Sequence, residues 1–272
     1  MANRFATRQV AFMAETLAFS LIVGVFVGFS AGYLGSIMVL EKMALVGDAL
    51  SHVALPGLAL GLLFNFNPFL GAFAVLFASA VIIWYLGRVT KLSFETLVGT
   101  VFTLALAIGI LLVPQPDLLE ALFGDITQVG FIDAVVAVVV SIIVVSLSRL
   151  IYKNIVLGLI SEELAISKGI NIARTNLLYL LLVSLTVSIG IKITGTLLVG
   201  FLVVTPAAAA RTISSNLSRY LALSAVFGAV SSVAGILLSS YLGFLPGPLV
   251  VLSGVAVFIA VVMVRWLKGL PI

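Results

Sequence analysis

The sequence contains no cysteine and only one histidine, His52. The absence of cysteine excludes disulfide frameworks, thiolate metal sites and cysteine nucleophiles. Charge is also scarce, because only 9% of the 272 residues are charged, whereas an ordinary soluble domain is about 25% charged. The chain is therefore not a water-soluble globule, and no basic cluster points to a nucleic-acid partner.

Apolar residues are abundant, since 62% of the chain is hydrophobic and its mean hydropathy is +1.34. A run of about 20 apolar residues crosses a bilayer core as a helix, which satisfies its own backbone hydrogen bonds. The sequence therefore predicts an all-α polytopic membrane protein that forms a single transmembrane domain over residues 1–272, with about eight to nine spans. The predicted segments are residues 13–40, 48–64, 68–88, 94–113, 131–150, 176–191, 195–210, 220–244 and 249–267.

The distribution of Lys and Arg predicts how these segments are oriented. The basic residues group near four sets of segment ends that can all be cytoplasmic, at positions 88–91, 149–174, 211–219 and 265–268. Residues 114–133 contain four acidic residues and no Lys or Arg, which fits the outer side. Nine crossings then place the N-terminus outside, whereas Arg4 and Arg8 favour the inside, so the sequence leaves that side open.

One pair of ionisable residues lies at the start of the second predicted span. Asp48 and His52 are four residues apart, which on a helix places both side chains on one face, about 5–6 Å apart at Cβ. A carboxylate oxygen and an imidazole nitrogen at that spacing can bind one cation, but they can equally form a structural hydrogen bond. Glu15, Asp133 and Lys192 lie near segment ends, where their side chains can reach the headgroups.

Sequence signals of an enzyme are missing. The chain contains no phosphate-binding loop, no HExxH zinc motif and no GxSxG elbow, so it is expected not to be an enzyme. If ATP drives it, a separate subunit must hydrolyse that ATP. The longest polar interruption, residues 151–175, contains SEELAISKGI, which predicts a short helix ended by Gly169. Pro56 and Pro206 predict breaks or kinks within spans.

Four motifs occur in an order that resembles one transporter family. They are GDALSHVALPGLALG (residues 47–61), LFGDI (122–126), EELAISKG (162–169) and GTLLVGFLVVTPAAAA (195–210). Together they resemble the permease subunits of manganese, zinc and iron ABC importers, and the resemblance spans nearly the whole chain. The first and last motifs are specific, and LFGDI alone is weak.

The resemblance implies a multi-pass protein of a prokaryotic plasma membrane. It also implies three kinds of partner, namely a second permease copy that is expected to be identical, cytoplasmic ABC ATPase subunits and an extracytoplasmic metal-binding protein. Asp48 and His52 match the family's polar pair in the translocation path. The coupling segment within 151–175 is matched by Glu162, Glu163, Ala165 and Gly169, although Ser161 stands where the family usually has an acidic residue.

The cargo implied by this resemblance is a divalent transition-metal ion, and no cofactor is expected to be bound by the chain. Oxygen and imidazole ligands suit Mn, Fe and Zn alike, and the absence of cysteine argues against Cu(I). A secondary metal transporter in which Asp48 and His52 relay protons is the alternative, and the coupling-like segment disfavours it. An intramembrane hydrolase is disfavoured because Ser51 and His52 occupy successive helix positions that face different directions.

The acidic segment 114–130 generates a first prediction about topology. A cysteine introduced by Gln115→Cys should react with a membrane-impermeant thiol reagent in intact cells, because the segment is expected on the outer side. The native chain has no cysteine, so the unmodified protein is a clean control. Labelling that occurs only after the membrane is broken would contradict the orientation from the fourth segment onward.

Overall fold

The computed structural model describes residues 2–90, 92–112, 122–124 and 129–268, and the regular structure in these residues is entirely helical. The all-α architecture predicted from the sequence is therefore confirmed. The helices are α1 (Ala2–Leu40), α2 (Ala44–Val53), α3 (Leu55–Leu63), α4 (Pro68–Thr90), α5 (Phe94–Leu112), α6 (Phe131–Ile160), α7 (Glu162–Ser167), α8 (Ile172–Ile213), α9 (Leu217–Leu242) and α10 (Pro246–Leu267).

Several helix ends meet at one end of the bundle, which we call the basic end. A cavity there is lined jointly by the residues that follow α1, the ends of α4 and α6, and the starts of α5 and α8. The guanidinium of Arg211 donates a hydrogen bond to the Val39 carbonyl over 3.4 Å, and Arg265 donates to the Thr212 carbonyl. The ends of α8 and α10 therefore lie at the basic end as well.

The described residues contain eight helical segments that are long and apolar enough to cross a membrane. Residues Val46–Leu63, which include α2 and α3, form one of these segments. A shorter apolar helix, Val199–Ile213, makes a further pass back to the basic end. The eight segments and this shorter helix make nine passes in the described part of the chain, which place the start of α1 at the opposite end.

The reversal within α8 occurs at Gly195. This residue has φ +73° and ψ 173°, a conformation that is almost restricted to glycine. The two halves of α8 fold against each other, so that a methyl group at Gly190 would overlap the Val199 side chain. The break expected at Pro206 is absent, because the helix continues through that proline to Ile213.

Small residues allow the longest helices to pack at backbone distance. Gly28 of α1 lies directly against the Gly228 carbonyl of α9, and Gly32 lies against the Ser224 carbonyl. Bilayer lipid is as apolar as leucine, so helices in a membrane gain stability from such close contact rather than from expelling water. The central layer of the bundle is therefore α1 packed between α9 and the two halves of α8.

The opposite end is held by an ion pair between two helices. The Lys192 ammonium lies 2.6 Å from the Asp133 carboxylate and 5.0 Å from the ring centroid of Phe69. Asp133 and Lys192, which the sequence analysis expected to reach the headgroups, are thus paired with each other. Most of the segment 114–130, including Gln115, lies outside the described residues, so the predicted outer loop stays a prediction.

The polar connection predicted over residues 151–175 is shorter in the structure. α6 continues to Ile160 and α8 begins at Ile172, so only residues 161–171 join the two helices and contain α7. Polar residues such as Lys153 and Asn154 mark the point where α6 leaves the apolar zone. They do not end the helix, because both are compatible with helical backbone.

The conformation of Gly195 generates the second prediction. Gly195→Ala should lower the free energy of unfolding by about 1–3 kcal/mol, because alanine strongly disfavours this backbone conformation and its methyl group would overlap the Leu122 carbonyl. Gly158→Ala is the matched control, since a methyl group there meets no atom within 4 Å and alanine favours a helix. Thermal unfolding in detergent measures both variants, and equal stability of the two would contradict the packing described here.

Candidate metal-binding station

His52 lies inside the bundle and has a defined ring orientation. The residue is 9% exposed, and its Nδ1 lies 3.0 Å from the backbone carbonyl oxygen of Asp48. Because a carbonyl can only accept a hydrogen bond, Nδ1 carries the proton and donates it. A neutral His52 therefore keeps the lone pair on Nε2, which is the atom that a metal ion or a proton can take.

Two neighbours hold the imidazole in this position. The Ser51 hydroxyl lies 3.3 Å from Nδ1 and donates a hydrogen bond of 2.6 Å to the same Asp48 carbonyl. The Phe102 ring from α5 contacts the imidazole edge to face, with 5.4 Å between the ring centroids and 83° between the planes. Ser51 therefore supports the ring from its own helix, and the expectation that these successive residues face different directions is wrong. Phe102 limits how the ring can tilt.

The carboxylate of Asp48 is not the hydrogen-bond partner of His52. The side chain is exposed in the single chain, and it has no hydrogen-bond or ion-pair partner among the described residues. The structural alternative that the sequence left open, a carboxylate–imidazole bond, is therefore not formed. The backbone carbonyl of Asp48 fills that role and leaves both carboxylate oxygens available.

A close backbone contact fixes the position of α2. A methyl group at Gly200 in the second half of α8 would overlap the Asp48 backbone, and Gly47 contacts Met38 and lies near Val203. α2 therefore rests directly on the second half of α8. We call Asp48 and His52, held in this way, the station.

Motifs that are far apart in the sequence meet around the station. Gly47 and Asp48 belong to the first motif and Gly200 to the last, and these segments are in contact. Gly195, also in the last motif, lies against the backbone of Leu122 and Phe123 in LFGDI. Asp125 and Ile126 of that motif lie outside the described residues. LFGDI, the least specific of the four motifs, thus supports the turn at Gly195, after which the second half of α8 runs to its contact with α2.

The station provides few ligands from a single chain. No group of three or more His, Cys, Asp or Glu side chains that could hold a metal ion occurs in the part of the chain that the structure describes. A zinc ion usually takes four ligands. The remaining ligands of any ion held here would have to be water, backbone carbonyls or groups from another chain.

α7 is the short helix expected between α6 and α8. Ser161 caps it by accepting a hydrogen bond of 3.2 Å from the Leu164 amide, and Gly169 ends it with φ +76°. Ser161 thus performs the capping that an acidic residue at this position could also perform. Ala165 is fully buried against the bundle, whereas Glu162, Glu163, Leu164 and Ile166 are exposed.

The structure places the predicted residues in two separate regions. His52 lies inside the bundle and Asp48 lies on its surface, both on α2, whereas the coupling residues lie at the basic end, namely Glu162, Glu163, Ala165 and Gly169. Sequence reasoning missed Phe102 and Gly200. Both act only through contacts over long sequence separations.

These features define the class of the protein. A close-packed helical bundle whose described residues include eight apolar helices long enough to cross a membrane is a multi-pass membrane protein. The sequence profile of the ABC 3 transport family matches residues 13–265, so the chain belongs to the ABC 3 transport family. The permease class, the family and the location in a plasma membrane that the sequence predicted are thereby confirmed.

Individual relatives agree with this membership. The chain is 31% identical over 243 residues to the manganese transport system membrane protein MntC of Listeria monocytogenes, covering 88% of this chain and 87% of that protein. It is 29% identical over 252 residues to the high-affinity zinc uptake system membrane protein ZnuB of Haemophilus influenzae, covering 91% and 97%. The solved structure of PsaBC from Streptococcus pneumoniae in complex with Fab superposes with a TM-score of 0.80 at 29% identity, covering 96% of this chain and 95% of that one.

Proposed function

We propose that this chain is the membrane-spanning subunit of an ATP-driven importer that moves divalent transition-metal ions, Mn, Zn or Fe, into the cytoplasm. The single observation that carries the proposal is the station itself. Among the described residues it has an unpaired carboxylate on Asp48 and, one helical turn away, an imidazole whose Nδ1 donates a hydrogen bond and whose Nε2 has no partner. The names of the manganese and zinc relatives support the same class of cargo.

Electrostatics argues that the Asp48 carboxylate faces something other than acyl chains. A charge at the centre of a membrane helix costs about 2.5–3.5 kcal/mol, and the Asp48 carboxylate, near the start of the span Val46–Leu63, has no partner among the described residues. Water, headgroups, a cation or a second protein chain is therefore expected to surround it when the protein is in a membrane. Water, a cation and a second chain are each expected in a translocation path between two permease copies.

A second, identical copy of the permease is the chain that we expect at this surface. α5, which contacts His52 through Phe102, carries a stripe of small and hydroxyl residues that are exposed, or half-buried at Gly99, namely Thr96, Gly99, Thr100, Thr103 and Ala107. The hydroxyls of Thr100 and Thr103 are satisfied within the helix by carbonyls four residues earlier, over 2.9 Å in each case. Such a surface can pack closely against another helix in lipid. A two-fold axis beside it would bring two stations together.

A site with few protein ligands suits transport. An ion that is held by a complete protein ligand set leaves slowly, whereas conduction requires binding that is favourable but weak enough to allow exit. The station offers one oxygen ligand group and one nitrogen from each copy, and water can complete the coordination. Delivery of the ion from outside by an extracytoplasmic metal-binding protein is part of the same proposal.

The basic end is the side on which we expect the ATPase subunits. Lys and Arg accumulate on the cytoplasmic side of membrane proteins, and α7 projects from that end with Leu164 45% and Ile166 59% exposed. A short helix with exposed apolar residues can enter a groove on a partner. Ala165 then fixes α7 to the bundle, so that movement of the ATPase is passed to α6 and α8. A proton-coupled secondary transporter would not need this helix, and membership of an ABC family argues against it.

The third prediction tests the station. Asp48→Ala and His52→Ala should each reduce uptake of radioactive Mn, Zn or Fe by about tenfold or more, while the variants still assemble with the ATPase at normal levels. Glu95→Gln is the matched control, because it neutralises an exposed carboxylate at the start of α5. If Asp48 and His52 have only a structural role, the variants should fail to assemble with the ATPase. Normal metal uptake in both variants would show that the station does not bind the transported ion.

The fourth prediction tests the coupling helix. Bulky residues introduced by Ala165→Leu or Gly169→Val should uncouple ATP hydrolysis from transport, because Ala165 is fully buried and Gly169 has a positive φ. The membrane bundle should remain folded. Lys168→Ala changes an exposed neighbour and serves as the control. If the bulky variants pull down the ATPase and transport normally, α7 is not the coupling helix.

A further inference from the structure

A groove lies on the outside of the bundle between α6 and α9. Both helices pack against α1 but make almost no contact with each other, so α1 forms the floor of the groove. A cavity of about 290 Å³ lies between the three helices, and a second cavity of about 480 Å³ adjoins it on α6. Arg149 and Tyr152 line both cavities. We call this continuous concave surface the α6–α9 groove.

The polar part of the α6–α9 groove lies at the depth of lipid headgroups. Arg149 is 18 residues beyond Phe131, where α6 begins, which corresponds to about 27 Å along a helix. The hydrocarbon core of a bilayer is about 30 Å thick. Tyr152 is half-buried beside Arg149, and tyrosine is typical of the boundary between the apolar layer and the headgroups. Arg149 and Lys153 therefore lie at that boundary, at the basic end.

Two cations line this part of the groove without an anionic partner. Arg149 and Lys153 both line the second cavity, and their four-residue spacing places them on one face of α6, about 5–6 Å apart at Cβ. Neither side chain has an ion pair or a hydrogen bond with another described residue. No described Asp or Glu lines either cavity. The positive charge of the groove is therefore available to an anion from outside the chain.

A buried hydroxyl adds a hydrogen-bond donor at the same place. Tyr33 of α1 lines the cavity between the three helices and is only 9% exposed. Its hydroxyl has no hydrogen-bond partner in the part of the chain that the structure describes, and it lies close enough to Arg149 for the two groups to interact electrostatically. Burial of a hydroxyl without a hydrogen bond is costly. An anionic oxygen held by Arg149 would accept the missing bond.

Polarity changes along the groove in the same direction on all three helices. Towards the basic end the lining is polar, and one helical turn deeper in the membrane it is apolar. The pairs are Tyr33 and Phe29 on α1, Arg149 and Val145 on α6, and Ser218 and Leu221 on α9. The groove therefore matches a molecule that has an anionic head and an apolar tail.

We propose that the α6–α9 groove binds an anionic phospholipid from the leaflet at the basic end, with its phosphate at Arg149 and Lys153 and an acyl chain along Phe29. The planar guanidinium of Arg can hold two phosphate oxygens, and Lys adds a compact charge. Basic pockets between membrane helices on the cytoplasmic side bind acidic headgroups. A zwitterionic lipid would bring its own cation to a surface that already carries two, which favours a lipid of net negative charge.

Other occupants fit the α6–α9 groove less well. A second permease copy is expected at the stripe on α5, and α5 packs against α2, α3 and α4 rather than forming part of the groove. The ATPase is expected at α7, beyond the end of the membrane layer, whereas the groove continues into that layer as far as Phe29. A free phosphate ion would leave the apolar part of the groove uncovered.

Lipid binding to the purified full-length chain tests the proposal. Native mass spectrometry in detergent would compare phosphatidylglycerol with phosphatidylcholine of the same acyl chains. We expect one phosphatidylglycerol per chain that binds about tenfold or more tightly than phosphatidylcholine. Arg149→Gln with Lys153→Gln should weaken its binding by about twentyfold, or about fivefold for each charge. The matched control, Lys168→Gln with Arg174→Gln, removes one Lys and one Arg that are exposed elsewhere at the basic end and should leave binding unchanged.

A second variant tests the apolar part of the groove while both cations remain. Ala222 of α9 is exposed and lines the cavity between the three helices. Ala222→Trp should fill the space for the acyl chain and weaken phosphatidylglycerol binding by about tenfold. Glycerol 3-phosphate, which has the headgroup chemistry without the tail, should not displace the lipid at equal concentration. Thermal unfolding in the same detergent checks that each variant is folded.

Three results would overturn the proposal. The first is equal affinity for phosphatidylglycerol and phosphatidylcholine. The second is an equal loss of affinity in the groove pair of substitutions and in the control pair. The third is normal phosphatidylglycerol binding by Ala222→Trp together with displacement by glycerol 3-phosphate, which would indicate a site for a phosphate group alone.

Discussion

The close backbone approach between α2 and the second half of α8 is the contact on which the rest of the structure depends. Gly200 lies directly on the Asp48 backbone, which leaves no room for a side chain between the helices. The contact exists because α8 reverses at Gly195, supported by the backbone of Leu122. A side chain at either glycine would push the helices apart and would move the station away from α5.

The few charged residues of this chain are arranged with respect to depth. Lys and Arg mark the basic end, the Lys192–Asp133 pair holds the opposite end, and Asp48 lies between them without a partner among the described residues. Charge in an apolar medium is costly unless it is paired or solvated. The Asp48 carboxylate, which is unpaired among the described residues, is therefore a position where a cation gives an electrostatic gain. The proposed metal path rests on this position.

Local features of the sequence predicted local structure well. Ser161 and Gly169 marked the two ends of α7, and the four-residue spacing predicted that Asp48 and His52 lie on one helix, because capping and helical spacing depend on neighbouring residues. Polar residues beyond residue 150 marked the exit from the membrane but not the end of α6, since a helix continues in water when its residues allow it.

Features that depend on long-range contacts could not be predicted. A single sequence does not show that Gly195 adopts a positive φ or that Gly200 meets Asp48, because other glycines occupy regular helix positions. The same limit explains the hydrogen bond of His52. Spacing brought both the carboxylate and the backbone carbonyl of Asp48 within reach of the ring, and the ring orientation beside Ser51 and Phe102 selected the carbonyl. That choice leaves the carboxylate free for a ligand.

Direct observation of an ion at the station tests the central claim most directly. Crystals of the permease pair soaked with Zn²⁺ and measured at the zinc absorption edge should show an anomalous peak about 2.0–2.1 Å from Nε2 of His52. The same peak should lie within bonding distance of an Asp48 carboxylate oxygen. A peak at other residues only, or an ion bound to Nδ1 with the Asp48 carbonyl displaced, would contradict the account.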